Sequence, residues 1–199
     1  MPNKNKIVEL LDDLSPEAQL IGAVNTVLND NGKLIGYNTD GYGFMQSVRD
    51  AGHDITGKNI TVMGVGGASM AICAQSALDG AASVHIFARR TSRYWNRTQK
   101  FAENLSAKTG CQVCLFDNDD HTALRDSIAQ SYLLINATSV GMVPDIDDTI
   151  IKDTSLFHPE LVVADVVYEP QETRLLREAK AAGCQTFNGM YMPVSYTHL

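Results

Sequence analysis

The fold of this chain is decided by one stretch of its sequence, ITVMGVGGASMA at residues 60–71. A short apolar run typical of a buried strand opens into glycines, and small residues at helical spacing follow. Glycines let the backbone turn tightly and approach a pyrophosphate, whose charge the free N–H groups of the next helix stabilise. Alone, the pattern fits an ordinary turn equally well. If the ligand is a dinucleotide, the contacting residues are Gly64, Val65, Gly66, Gly67 and Ala68.

The neighbouring sequence favours the dinucleotide. The segment ITGK at residues 55–58 breaks the chain before the first strand. A second strand is predicted at residues 83–87, about twenty residues after the glycines, as a βαβ unit requires.

The end of that second strand indicates which dinucleotide binds. An acid there would accept hydrogen bonds from the adenosine ribose of NAD. The chain instead has Ala88, Arg89, Arg90, Thr91, Ser92 and Arg93. Guanidinium groups form charge-assisted, often bidentate contacts with phosphate, so the sequence predicts NADP in preference to NAD. The alternative is a solvated basic loop in front of a helix.

Composition limits the function classes. The 199 residues are 44% hydrophobic and 20% charged, with a formal net charge of −7. This charge disfavours a nucleic-acid-binding surface, and the basic cluster after Phe87 is too short to reverse that. No apolar run approaches the ~20 residues that span a bilayer, and the first residues do not form a signal peptide. We therefore expect a cytoplasmic protein that binds neither nucleic acid nor membrane.

The cysteines and histidines do not form a metal pattern. Cys111 and Cys114 are a CxxC pair, but an offset of three residues in a predicted strand sends the thiols to opposite faces. No second pair of ligands follows, and the five histidines are scattered. We expect reduced thiols, no disulfide and no metal site.

Alternating strands and helices predict the rest of the fold. Before residue 55 the sequence predicts helices at residues 5–14, 16–21 and 40–50 and a hairpin of strands at 24–28 and 33–37. After it, helices are predicted at 68–78, 97–108, 121–130 and 172–182, and further strands at 112–116, 132–136, 161–167 and 185–187. This alternation is typical of an α/β fold with a doubly wound parallel sheet of the Rossmann type. The polar loop at residues 139–157 is expected to be mobile beside the cofactor.

Six motifs in one order make the chain resemble the shikimate/quinate dehydrogenase family over nearly its whole length. They are MPNK at residues 1–4, GAVNT at 22–26, YNTDG at 37–41, GVGGASMA at 64–71, NATSVGM at 136–142, and DVVYEP at 165–170 with Thr173. MPNK and the double arginine are most similar to the quinate/shikimate branch, whose members accept either acid and sometimes either nicotinamide cofactor.

The resemblance implies an oxidoreductase that interconverts 3-dehydroshikimate and shikimate, or the corresponding quinate pair, in aromatic amino acid biosynthesis. Its catalytic pair would be Lys4 and Asp40, in a cleft between a substrate domain and the nucleotide domain. Without the resemblance, Asp40 would be interpreted as a helix N-cap and Lys4 as a surface lysine. The implied division is a partial α/β substrate domain at residues 1–55, the dinucleotide-binding domain at 56–192 and an atypical tail at 193–199.

The resemblance also implies binding residues. Asn25 and Thr39 would hydrogen-bond the ring hydroxyls of the substrate, and Tyr168 would reach it from the nucleotide side. The nicotinamide would be lined by Thr138, Ser139 and the backbone of Val166 and Tyr168, with Gly189 and Met192 near its amide. For Asn25 alone, a turn former ahead of a strand is the alternative.

The chain departs from the family pattern at both ends. Met1 falls inside a family motif, so we expect this chain to lack the preceding segment whose serine grips the substrate carboxylate in the family. Residues 193–199 do not match the family, and Tyr196 replaces a substrate-binding Gln. We therefore expect the region before residue 55 to expose apolar surface. Ala88 replaces a common Asn, and Thr91 stands where a dual-cofactor relative carries Asp, which again favours NADP.

Two functions stay open at this point. One is the enzyme; the other is a nucleotide-binding module without turnover, either a fragment or a relative that senses the cofactor or metabolites. Joint occurrence of Lys4 and Asp40 favours the enzyme. A methyltransferase is disfavoured because it needs an acid where this chain has arginines. The sequence does not separate shikimate from quinate, and it leaves open whether two copies form a homodimer through the exposed remnant.

Overall fold

The computed structural model describes residues 4–189 and contains two sheets with helices packed on them. The strands are β1 (Asp13–Leu14), β2 (Thr26–Asp30), β3 (Lys33–Tyr37), β4 (Asn59–Met63), β5 (Ser83–Ala88), β6 (Gln112–Asp117), β7 (Leu133–Asn136), β8 (Val162–Asp165) and β9 (Gln185–Asn188). The helices are α1 (Pro16–Ile21), α2 (Thr39–Asp50), α3 (Gly67–Leu78), α4 (Trp95–Thr109), α5 (His121–Gln130) and α6 (Arg174–Ala181), with short 3-10 helices at Lys6–Leu10 and Thr154–Leu156.

The larger sheet confirms the predicted doubly wound fold. Its strands lie in the order β6-β5-β4-β7-β8-β9, and every neighbouring pair is parallel. The chain runs outward from β4 to β6 and then returns to the other side of β4 with β7. In such a sheet the ligand crevice opens at the carboxyl ends of the strands where the order reverses, which here are β4 and β7.

The apolar composition of the strands explains why this sheet is central. Strands β7 and β8 are buried along their whole length, as parallel strands between helix layers must be. Ile60 and Val62 of β4 belong to one large core, and that core also includes Phe44 and Met45 of α2. The N-terminal helices are therefore packed onto the same core as the nucleotide-binding sheet.

The predicted helix at residues 5–14 is the main error in the secondary-structure prediction. In its place stand a 3-10 helix at Lys6–Leu10, which buries no residue, and strand β1. Strand β1 pairs in parallel with β3, with Asp13 opposite Ile35, in a small sheet of order β1-β3-β2. Hydrogen bonds to a strand more than twenty residues away along the chain replace the predicted helix, although Ile7, Leu10, Leu11 and Leu14 recur at helical spacing. A helix this short is marginal without tertiary packing, and Leu10 is 75% exposed in the structure.

A close crossing of two helices sets the position of the site. A Cβ atom at Gly41 of α2 would collide with the backbone carbonyl of Ala71 in α3, so only glycine permits this approach. At the other end of the crossing, Arg49 Nη1 donates to Asp79 Oδ2 at 2.6 Å. The first turn of α2, which contains Asp40, is thereby held beside the glycine turn that precedes α3.

Surface features bear on two further expectations. Leu10 and Leu28 are 75% and 50% exposed, which confirms that the region before residue 55 exposes apolar side chains. The loop at residues 139–157 is anchored by the buried side chains of Thr149 and Ile151, and its mobility stays a prediction. Within residues 4–189, no helix is both long enough and apolar enough to cross a bilayer.

Candidate active site

Lys4 and Asp40 form an ion pair at the mouth of a cleft. Lys4 Nζ donates to Asp40 Oδ2 at 2.6 Å, and the two side chains are 25% and 17% exposed. The main chain fixes both residues: the Val24 N–H donates to the Lys4 carbonyl at 2.8 Å, and Asp40 lies in the first turn of α2. The pair is partly shielded from water, so its interaction is stronger than that of an exposed pair.

Asn25 joins this pair to Thr39. Its Nδ2 donates to Asp40 Oδ1 at 2.8 Å, so both carboxylate oxygens of Asp40 are engaged. Its Oδ1 accepts from the Thr39 backbone N–H at 3.0 Å and from the Thr39 hydroxyl at 3.2 Å. The structure thus brings together four residues that the sequence analysis assigned to the substrate: Lys4, Asn25, Thr39 and Asp40.

Asn38 holds this group in place, although the sequence analysis assigned it no function. Its Oδ1 accepts from the Asp40 backbone N–H at 3.3 Å and caps α2, while its Nδ2 donates to the Ala23 carbonyl at 3.1 Å. The side chain is 3% exposed. Its signal in the sequence is its place just ahead of a predicted helix start, where asparagine is a preferred cap.

The glycine turn faces the ion pair across the cleft. Gly64 has a φ of 111°, and a Cβ there would lie 2.9 Å from the Ala137 carbonyl oxygen. At Gly66 and Gly67 a Cβ would meet nothing within 4 Å, so the turn borders open space. Gly66 is the N-cap residue of α3 and makes no side-chain cap, which leaves the first N–H groups of the helix for an anion. This arrangement fits a pyrophosphate.

Two connected clefts lie at this edge of the sheet. One, of about 290 Å³, is lined by Lys4 and Asp40 on one side and by Gly66 and Gly67 on the other. The second, a groove of about 770 Å³, runs from Gly64 past the β5 loop to the β7 loop. Gly66 and Tyr94 line both, so the ion pair and the groove open into one another.

The arginines after β5 separate into two groups. Arg89 and Arg93 line the groove together with Ala88, Thr91 and Ser92. Arg93 also donates from Nη2 to the Tyr94 hydroxyl at 2.7 Å, with its guanidinium 4.8 Å from that ring. Arg90 is not among the residues of the groove, and its guanidinium lies 4.7 Å from the centre of the Trp95 ring.

The expected nicotinamide residues are brought only partly together. Thr138 and Ser139 line the groove. Val166 and Gly189 are in contact, since a Cβ at Gly189 would lie 2.9 Å from the Val166 Cα. Tyr168 is 63% exposed and lines neither cleft. Met192 lies outside the described residues.

A buried polar network supports the Thr138 side of the groove. Asn136 Oδ1 accepts from the backbone N–H and the hydroxyl of Thr138, and Asn136 Nδ2 donates to Asp165 Oδ1 at 3.0 Å. Burial raises the pKa of the Asp165 carboxyl to about 6, against the opposing effect of hydrogen bonds from Thr173, Val167 and Asn136. In the sequence these residues stand out only as parts of the family motifs.

The thiols lie away from the clefts. All four cysteines are free, and burial raises the pKa of Cys73 to about 12 and that of Cys111 to about 11. Such thiols stay protonated and unreactive at neutral pH. Among residues 4–189, no group of three or more potential ligands is close enough to hold a metal ion.

Comparison with known proteins gives a consistent set of relatives. A sequence profile described as the shikimate dehydrogenase substrate binding domain matches residues 1–27. Over 192 residues, the chain is 50% identical to shikimate dehydrogenase (NADP(+)) of Listeria innocua and 42% identical to quinate/shikimate dehydrogenase of Escherichia coli. These alignments cover 96% of the chain and 66% of each relative, so the chain spans about two thirds of their length.

A solved structure extends the comparison to three dimensions. Shikimate 5-dehydrogenase from Listeria monocytogenes, in complex with shikimate and NAD, superposes with a TM-score of 0.95 at 47% identity. The match covers 100% of the chain and 71% of that protein.

Proposed function

The chain belongs to the shikimate dehydrogenase family, and on that premise we propose that it interconverts 3-dehydroshikimate and shikimate with NADP(H), a step of aromatic amino acid biosynthesis. One observation carries the proposal: the Lys4–Asp40 pair, 2.6 Å apart, faces the glycine turn across a single cleft. In the direction of reduction, a hydride adds to the C3 carbonyl carbon and a proton to its oxygen, giving the C3 hydroxyl of shikimate.

Lys4 is the residue we assign to the proton. An ammonium group has three donors, and the ion pair with Asp40 uses one of them, so others stay available for the C3 oxygen. Asp40 orients the ammonium and stabilises its charge, while Asn25 fixes the opposite carboxylate oxygen. Proton transfer to the developing alkoxide by such a positioned group contributes typically about 10²–10⁴-fold in rate.

Neutral hydrogen-bonding groups suit the rest of a polyol substrate. We assign Asn25 and Thr39 to its ring hydroxyls. Both side chains lie beside Asp40, where they would orient the ring relative to Lys4. We keep Tyr168 as a further substrate contact, one that requires its exposed side chain to turn toward the cleft.

The groove supports NADP as the cofactor, which when bound supplies or accepts the hydride. Gly64, Val65, Gly66, Gly67 and Ala68 would approach its pyrophosphate. Arg89, Thr91 and Arg93 would hold the 2′-phosphate, and the relative from Listeria innocua is named for NADP. The structure from Listeria monocytogenes contains NAD, so NAD is the second candidate. Thr138, Ser139, Val166, Gly189 and Met192 are assigned to the nicotinamide side.

Three broader assignments accompany this function. We propose a substrate-binding domain at residues 1–55 followed by a dinucleotide-binding domain from residue 56, supported by the separate small and large sheets. We also propose a cytoplasmic location. Pairing of two chains through the exposed side chains before residue 55 stays a prediction.

The test follows the absorbance of the reduced nicotinamide. The chain is mixed with shikimate or quinate, each with NADP and with NAD, and the four combinations are repeated on a chain extended to the length of its relatives. Fastest turnover with shikimate and NADP supports the proposal, and fastest turnover with another combination reassigns substrate or cofactor. If NADP raises the melting temperature but neither chain turns over, the protein is a nucleotide-binding module and the catalytic assignment is wrong.

A further inference from the structure

Asn118, the residue after β6, has a buried side-chain oxygen that no described residue pairs. Its backbone N–H donates to the Ala88 carbonyl at 2.9 Å, which ties it to the end of β5. Within residues 4–189, its Oδ1 has no hydrogen-bond partner although the atom is shielded from solvent. Buried acceptors in native proteins are nearly always paired, so this one indicates a missing donor.

The position of Asn118 suggests where that donor comes from. Asn118 and Ile150 line the dinucleotide groove, and both also line an adjoining cavity of about 420 Å³. The walls of this adjoining cavity combine the apolar side chains of Leu124, Ile151 and Leu156 with the polar side chains of His121, Arg125, Lys152 and Asp153. Its apolar side chains can pack against a flat heteroaromatic ring, and the Asn118 amide at the entrance can accept from a hydrogen-bond donor on that ring.

The proposed cofactor places such a ring at this point. The pyrophosphate would lie at the glycine turn and the 2′-phosphate at Arg89 and Arg93, which fixes the adenosine ribose between them. The base is attached to the ribose carbon next to the one that carries the 2′-phosphate. It therefore lies beside the β5 loop, and Asn118 is held against that loop by its bond to Ala88.

We propose that Asn118 recognises the adenine base of the dinucleotide, pairing its side-chain amide with the 6-amino group and the adjacent ring nitrogen while the base lies against Ile150. This inference rests on the proposed function. An asparagine amide offers one acceptor and one donor, which match the N6 donor and N7 acceptor of adenine. The amide turns about its terminal torsion at little cost, so its oxygen can face the groove when the base arrives.

The test compares NADP with its hypoxanthine analogue, in which a carbonyl replaces the 6-amino group. The dissociation constants of both are measured by calorimetry on the wild-type chain and on Asn118→Leu. We expect the wild type to prefer the adenine dinucleotide by about tenfold, since one bidentate base contact is worth that much or more. In the Leu variant, the preference is expected to fall below about twofold, through weaker binding of NADP.

Two further variants sharpen the result. Asn118→Asp, of the same shape, keeps an acceptor for the 6-amino group but loses the donor for the ring nitrogen that both dinucleotides share. It should therefore bind NADP more weakly than the wild type yet keep the preference for adenine, since a carboxylate repels the carbonyl of the analogue; it also serves if the Leu variant does not fold. Asn104→Leu makes the same change at an exposed asparagine of α4 that lines neither the groove nor the adjoining cavity, and it should leave the preference unchanged. Equal binding of both dinucleotides to the wild type, an undiminished preference in Asn118→Leu, or a preference lost in Asn118→Asp would overturn this inference alone. If neither dinucleotide binds the wild type, the proposed function fails with it.

Discussion

Asn136 and Asp165 meet at the ends of neighbouring parallel strands, with Asn136 Nδ2 donating to Asp165 Oδ1 at 3.0 Å, and both side chains are fully buried. Asp165 also accepts from the Thr173 hydroxyl at 2.7 Å and from the Val167 N–H at 2.9 Å. One carboxylate thus links β7, β8 and the start of α6. Because Asn136 in turn holds Thr138, the same carboxylate supports the wall of the dinucleotide groove.

The Asp165 carboxyl predicts a specific pH dependence of stability. Its pKa is raised from 3.8 to about 6 by burial, so the folded state binds this proton more tightly than the unfolded state. Its contribution to the free energy of unfolding is therefore fully present below about pH 4, is lost as the pH rises through about 6, and is absent above about pH 7. The difference between the two pKa values corresponds to a loss of about 3 kcal/mol.

Asp165→Asn isolates this contribution, because the amide keeps the shape of the side chain and does not ionise. Urea unfolding of both proteins at about pH 4, 6 and 8 gives the difference in free energy at each pH. The variant should gain stability relative to the wild type between about pH 4 and 6. Exposed carboxylates such as Asp148, whose pKa is lowered by Lys152, act equally in both proteins and cancel. A difference that does not change with pH would show that the carboxyl titrates normally.

Replacing Lys4 should remove turnover and spare cofactor binding. Lys4→Ala deletes the ammonium that we assign to the C3 oxygen, so kcat is expected to fall by about 10²–10⁴-fold. The lysine does not line the dinucleotide groove, so the dissociation constant for NADP should change less than about twofold. Single-turnover kinetics and calorimetry measure the two quantities.

Lys6 provides the matched control for this variant. It lies two residues away, is exposed and lines neither cleft, so Lys6→Ala should keep wild-type kcat. Asp40→Asn keeps an acceptor for the Asn25 amide but removes the negative charge, and we expect it to lose turnover as well. Unchanged kcat in both the Lys4 and Asp40 variants would exclude the pair from the chemistry.

The sequence predicts the larger sheet well because its signals are local. Each of these elements is predicted from its own residues: the apolar runs of β4, β5 and β7, and the small-residue helix after the glycines. Their predicted bounds agree with the structure to within one or two residues. Strand β1 is different. Its partner lies about twenty residues on, at Asp13 opposite Ile35, and a two-residue segment carries no periodicity from which to predict it.

The candidate active site likewise combines residues that local sequence predicts with residues that only tertiary structure brings in. The glycine turn and the basic loop follow from residue chemistry and position after a strand. The grouping of Lys4 with Asp40 was predicted only through the family resemblance, since the two are separated by 36 positions. Two lining residues were not predicted: Asn118 of the dinucleotide groove and Arg97, whose side chain lines the smaller cleft beside Lys4 and Asp40. Only the tertiary packing of the β6–α5 loop and of helix α4 brings them there.

The glycines of the turn should respond differently to alanine. At Gly66, φ is −79° and a Cβ would meet nothing within 4 Å, so Gly66→Ala should fold with wild-type stability. The added methyl group would occupy space on the surface of both clefts, so NADP binding should weaken by about tenfold or more, as expected where backbone must approach a pyrophosphate.

Alanine at Gly64 should destabilise the fold, unlike alanine at Gly66. Its positive φ and the carbonyl of Ala137 leave no room for a Cβ, so Gly64→Ala should lose about 1–3 kcal/mol of folding free energy. Thermal unfolding and calorimetry on both variants separate the two effects. Normal NADP binding by Gly66→Ala would place the pyrophosphate elsewhere.

Arg93 should determine the preference for NADP over NAD. Its guanidinium lines the groove and is held in place by the ring and hydroxyl of Tyr94, so little freedom is left to lose when a phosphate binds. A hydrogen bond to a charged group contributes about 1.5–3 kcal/mol, so Arg93→Leu should weaken NADP binding by about tenfold or more. NAD lacks the 2′-phosphate, so its dissociation constant should stay within about twofold of the wild-type value.

Arg90 tests whether position or charge alone is responsible. Arg90→Leu removes the same charge from the same loop, but this guanidinium lies over Trp95 and does not line the groove. If the 2′-phosphate is held by direct contact, the Arg90 variant should lose no more than about threefold in NADP affinity. This small loss reflects long-range attraction by the charge of the loop, so the difference between the variant and the wild type should disappear when added salt screens that charge. Equal losses in the two variants would mean that the loop acts only through its net charge. Equal losses for NADP and NAD would mean that Arg93 does not contact the 2′-phosphate.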